Sequence, residues 1–148
     1  MQNLIAKTQE SLLPDSPFTE TINWSELTST LASSRSWQDK YRFIMQLGKK
    51  LSPLSDELKT DDYKVDGCES EVWLICQQNA EGQLIAYADS DARIVKGLLV
   101  IVLLCVAQGQ RDSVAGIRAT FEELGLERHL SPSRTNGLHA IMSVLDGV

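Results

Sequence analysis

The sequence predicts an α+β domain in which one small antiparallel sheet packs against several helices. Three observations lead there. A chain of 148 residues fits one domain with room for one real core. Val72, Trp73, Leu74 and Ile75, then QQNAEGQ, then LIAYAD, read as a single β-hairpin. The remaining apolar residues recur at helical spacing, with no internal repeat and no low-complexity tract to mark a second domain.

In chain order, residues 1–21 carry Pro14, Pro17 and several Ser and Thr, and read as a loose lead-in to a domain spanning 1–148. Trp24, Leu27 and Leu31 fall on one helical face, with Asn23 and Glu26 placed as a capping pair. A second helix opens on SWQD at 36–39, which has the form of a capping box. Trp37, Tyr41, Ile44, Met45 and Leu51 lie on or near one face of it, Lys49 and Lys50 suit its C-terminal dipole, and Pro53 stops it.

Residues 55–68 are polar and acidic and read as a helical turn followed by an exposed loop. The hairpin then runs over about 70–78 and 83–88 around a Glu81-Gly82 turn. Two strands cannot stand alone, so helices must cover one face. Ser90 and Asp91 can open a helix over about 91–107 that is apolar nearly all round and therefore buried, although its Val and Ile content also allows a strand. Asp112 can cap the next helix, with Val114, Ile117, Phe121 and Leu124 inward and Gly125 at its end. Ser131-Pro132 marks the start of a last helix striped by Leu138, Ile141, Met142 and Leu145.

Bulk composition narrows the function. An apolar share of 43% is that of an ordinary globular protein. The net charge of -6, with no basic stripe, speaks against a nucleic-acid partner. The most apolar run, 97–107, is too short for a bilayer, which needs about 20 residues, so no membrane role is expected. Three cysteines and no secretion-like leader fit a cytoplasmic chain with free thiols.

The cysteines at 68, 76 and 105 and the histidines at 129 and 139 lack the close spacing of a zinc or iron–sulfur site, and no metal is expected. Cys76 and Cys105 sit in strand and core patterns and read as packing. Cys68 differs by place. It follows Gly67 at an exposed join just before the strand, in KVDGCESEVWLIC, where packing, ligand and nucleophile all remain open. Asp66, Glu69 and Glu71 would raise its pKa, and Lys64 is the one cation near it in sequence. Activation must then come from a folded-in group or from a partner, which suits a carrier. No Ser-His-Asp arrangement and no glycine-rich phosphate loop is present.

Three stretches, VDGCESEVWL, ADSDARIVKGLL and LGLERHLSPSRTNGL, resemble in order and spacing the signature blocks of the SufE family of sulfur acceptors, which includes the CsdE branch. The likeness covers about residues 22–146. It implies an α+β fold related to the iron–sulfur scaffold fold of IscU-like proteins. It implies that Cys68 accepts persulfide sulfur from a cysteine desulfurase of SufS-like or CsdA-like type and stimulates it. The sulfur would pass on to iron–sulfur cluster assembly or another acceptor.

On this resemblance the chain is a transpersulfuration partner rather than a stand-alone enzyme. It has no cofactor of its own, the desulfurase carrying pyridoxal phosphate. Gly67 and Ser70 shape the loop, Asp91 is linked to loop conformation and desulfurase stimulation, Arg134 contacts the partner near the cysteine, and His129 is structural. The resemblance also implies a loop tucked over a hydrophobic cavity. A second reading is an iron–sulfur scaffold, and a third an interaction domain whose thiol is incidental.

Overall fold

The computed structural model of the chain describes residues 3–67, 70–107, 114–126, 130 and 132–146. Five α-helices are found among them: α1 (Trp24–Ser33), α2 (Trp37–Leu47), α3 (Arg93–Ala107), α4 (Val114–Glu123) and α5 (Pro132–Asp146). They pack with one two-stranded antiparallel sheet, β1 (Val72–Gln78) and β2 (Leu84–Ser90), in an α+β architecture. Short 3₁₀ turns at Lys7–Leu12, Gly48–Lys50 and Asp56–Leu58 complete the order.

The helix starts follow their caps. Asn23 Oδ1 accepts from the Glu26 amide at 3.0 Å, and Ser36 Oγ accepts from the Asp39 amide at 3.2 Å. α4 ends in a Schellman turn: the Gly125 amide bonds Glu122 O, the Leu126 amide bonds Phe121 O, and Gly125 takes φ 68°. Asp112 and Ser131, the proposed caps of α4 and α5, lie outside the described residues.

The segment 97–107 is helical, and ten residues of α3 are buried. Asp91 does not cap that helix by its carboxylate, which accepts instead from the Glu71 amide; the helix begins two residues later at Arg93. The hairpin turn is built by Asn79, whose side-chain oxygen accepts from the amides of Glu81 and Gln83, while Gly82 takes φ 80°.

β1 and β2 pair from Val72↔Ser90 to Gln78↔Leu84. Alternation along β1 feeds two apolar clusters. Val72, Leu74 and Cys76 face the main core, shared with Ala86 and Ala88 and with α1–α5, while Trp73 and Ile75 join Ile5, Leu54, Leu58, Tyr63 and Tyr87 on the other face. The packing on the two faces of β1 corrects two expectations, with Ile5 and Tyr63 in the second cluster and Val65 in the main core. Residues 1–21 are not a loose lead-in where described: Ile5 is buried, its amide bonds Cys76 O, and the Cys76 amide bonds Asn3 O. The stretch after residue 58 is not wholly exposed, for Tyr63 and Val65 are buried and bond to Leu74 and Val72. The reason is the same for both: Trp73, Ile75 and Tyr87 need an apolar cover, and β1 has a second edge whose backbone groups need partners.

The main helix crossing depends on two glycines. A methyl group at Gly97 of α3 would fall on the backbone carbonyl of Ile44 in α2. At Gly48 it would lie 2.9 Å from Lys96 Cβ and 3.0 Å from Arg93 O. Alanine is the better helix former by about 1 kcal/mol. The steric conflict exceeds that, so Gly97→Ala should lose about 3 kcal/mol in urea unfolding followed by circular dichroism.

Candidate functional site

The described segments on either side of residues 68 and 69 pair as the two arms of an irregular hairpin. The Val65 amide donates to Val72 O at 2.8 Å, and the Leu74 amide to Tyr63 O at 2.9 Å, with Lys64 bridged antiparallel to Trp73. The described arms are therefore closed at Val65 and Val72. Cys68 and Glu69 lie outside the described residues, as does His129. Their neighbours Gly67 and Ser70 are described: Gly67 is exposed at φ 92°, a conformation that suits glycine, and Ser70 is half-buried.

The far end of the loop is gripped by the β2–α3 junction. Asp91 Oδ1 accepts from the Glu71 amide at 3.0 Å, and the Asp91 amide donates to Glu71 O at 3.2 Å. Ser90 Oγ donates to the same carbonyl at 2.7 Å and accepts from the Ala92 amide at 3.2 Å. Behind this junction Asp89 is buried, accepting from the amides of Leu54 and Ser90 and lying 3.4 Å from Lys59 and 3.6 Å from Lys96. A buried carboxylate without such partners would be costly. The loop anchor thus rests on a satisfied ionic core.

Of the residues singled out in sequence, Gly67, Ser70 and Asp91 are brought to one loop. Arg134 belongs to α5, and its side chain lies outside the described residues. α5 passes beneath the loop: a Cβ at Gly67 would meet Ala140 Cβ at 3.5 Å. Arg134 is six residues before Ala140, roughly 9 Å along the helix axis. Ser90 and Glu71 were noted in sequence only as a helix opener and as a charge near Cys68; their pairing at the loop root was missed. Glu71 takes part through its backbone, which every residue possesses, so no residue type could announce it.

Beside the loop lies a cavity of about 450 Å³, bordered by Asn3, Asp62, Lys64, Asp66, Ala140, Ser143 and Val144. Its described walls are mixed polar and apolar. Lys64, the nearest cation in sequence to residue 68, has its ammonium 3.8 Å from the Glu71 carboxylate. With Asp62, Asp66 and Glu71 exposed around it, the described surroundings of the loop are acidic. Among the described residues no group of three or more His, Cys, Asp or Glu is gathered to hold a metal ion, and no helix is long and apolar enough to cross a membrane.

The other thiols are packed away. Cys76 and Cys105 are both buried, and burial pushes the Cys76 thiol up from 9.0 to about 11.

Three outcomes follow from this geometry. Asp91→Ala should speed hydrogen exchange of the Glu71 amide about tenfold, and Asp91→Asn, which keeps an acceptor, should do less, as read by nuclear magnetic resonance. Native Cys76 should resist iodoacetamide at pH 8, where its thiolate fraction is on the order of one in a thousand. Because the folded state holds that proton more tightly than the unfolded one, its contribution is whole below pH 9.0 and is lost as pH rises to about 11. Denaturation midpoints across that window check the sign.

The chain matches the family model of SufE, an Fe-S metabolism associated domain, over residues 25–147. That span takes in the loop, its Asp91 anchor and α5. It ties the chain to iron–sulfur metabolism and to sulfur transfer in general: the protein belongs to the SufE family.

Proposed function

We propose that the protein is the sulfur acceptor of a pyridoxal-phosphate cysteine desulfurase, SufS-like or CsdA-like, with Cys68 as the loaded residue. What supports this reading is the pair of described flanks on either side of Cys68: Val65 is bonded to Val72 of β1, and Glu71 is held by Asp91 and Ser90. The other two thiols are buried in the core.

The chemistry is exchange of the thiol–disulfide type. The Cys68 thiolate attacks the terminal sulfur of the desulfurase persulfide. A new sulfur–sulfur bond forms on Cys68, the old one breaks, and the desulfurase thiolate leaves and takes up a proton. No net oxidation occurs. The described surroundings supply carboxylates rather than a free cation, so positive potential must come from elsewhere. Arg134 on α5 is the residue proposed to bring it, by guanidinium contact near the loop or with the partner. Asp91 and Ser90 hold the loop root in place, and Gly67 allows the turn. The chain needs no pyridoxal phosphate or resident metal for this step. The sulfur then passes to iron–sulfur cluster assembly or to another acceptor.

The scaffold alternative requires several ligands at an accessible place. Cys76 lies inside the sheet and Cys105 inside α3, which favours the carrier.

Incubation with a purified cysteine desulfurase and free cysteine, followed by peptide mass measurement without reductant, decides the matter. One added sulfur on the peptide holding Cys68 is expected. It should vanish in Cys68→Ser and fall several-fold in Arg134→Gln. No added sulfur with either desulfurase type refutes the carrier role.

A further inference from the structure

A second surface stands apart from the cysteine loop. Trp37, Tyr41 and Met45 follow one another along the outer face of α2 at helical spacing. They are half-buried and line a groove of about 430 Å³ with Arg42, Lys49 and Arg93 at its rim. The rings of Trp37 and Tyr41 meet edge to face at 6.1 Å, which fixes the floor as a rigid aromatic step. Arg93 arrives from the first turn of α3, brought alongside α2 by the glycine crossing.

The charge pattern is opposite to that of the whole molecule. The chain has 20 Asp and Glu against 14 Lys and Arg, yet among the described residues no carboxylate lines this groove and three cations do. Arg42 is paired only loosely, 3.9 Å from an exposed Asp39. Lys49 and Arg93 are exposed and have no ion-pair partner among the described residues. Arg93 sits at the positive end of the α3 dipole, where a cation is disfavoured. Trp, Tyr, Met and Arg are the residue types enriched at protein interfaces. An apolar floor asks for a large apolar side chain, and three cations above it ask for carboxylates.

The geometry points to this groove as the docking site for an acidic segment of a protein partner, one that seats an aromatic or aliphatic side chain on Trp37, Tyr41 and Met45 and places carboxylates against Arg42, Lys49 and Arg93. None of the described residues of the cysteine loop lines this groove, and the site does not depend on sulfur chemistry.

The test uses the full chain, labelled with ¹⁵N, and a synthetic helical peptide with leucine and phenylalanine on one face among glutamates. The control has lysine in place of each glutamate. The acidic peptide should shift the Trp37 indole N–H saturably, weaken with added salt, and bind about tenfold less tightly to Lys49→Glu/Arg93→Glu. Both changes are at exposed positions, and Glu at the start of α3 suits its dipole, so the variant should fold. Equal binding of both peptides, no shift at Trp37, or unchanged affinity of the variant overturns the proposal. So does a Trp37 shift on dilution of the protein alone, which would assign the groove to a second copy of the chain. No desulfurase is present in the assay, so its result is separate from that of sulfur loading.

Discussion

The close approach of α2 and α3 is the constraint on which the rest is built. Helices bearing ordinary side chains sit about 8–10 Å apart. Here Gly97 lets the α3 backbone come against the Ile44 carbonyl, and Gly48 admits Arg93 and Lys96 from the other side. Once that crossing is set, the start of α3 is fixed in space. Asp91 and Ser90, immediately before it, are then held where they can bind Glu71, and Lys96 is held where it can face Asp89. The same crossing brings Arg93 beside Trp37, Tyr41 and Met45. A single steric fact therefore positions the loop anchor, the buried carboxylate and the charged groove together.

β1 does the complementary work. Five successive residues, Val72 to Cys76, are buried because the strand is covered on both faces and on both edges. β2 lies along one edge, and the Asn3–Ile5 and Tyr63–Val65 segments along the other. Backbone pairing on the second edge satisfies groups that would otherwise be lost to water or to a neighbouring chain. It also gives the cysteine loop a base that is already closed, so the loop can be irregular without leaving the sheet unsatisfied.

Much of the fold was legible in the sequence because local signals are strong at helix starts and in the hairpin. Asn23, Ser36, Asn79 and Gly125 each perform the turn or cap that their residue type announces. What was not legible is non-local. Nothing about Pro14 or the Ser and Thr near it tells that Ile5 will lie under Ile75, since that depends on how much of β1 remains uncovered. The expected capping by Asp91 was a local rule overridden by a tertiary partner, the Glu71 amide twenty residues away in sequence. Cys68 was singled out from Gly67-Cys68 and its acidic neighbours, and it lies outside the described residues. The groove was not legible, because Arg93 joins Trp37 and Lys49 only after the helices cross.

The closed base of the loop has a geometric consequence. Val65 is bonded to Val72, and Glu71 to Asp91 and Ser90, so both described ends of the loop are fixed to one place on the sheet. A surface that docks over them meets a root already closed by backbone bonds, and the fit is set by the hairpin rather than by the newcomer.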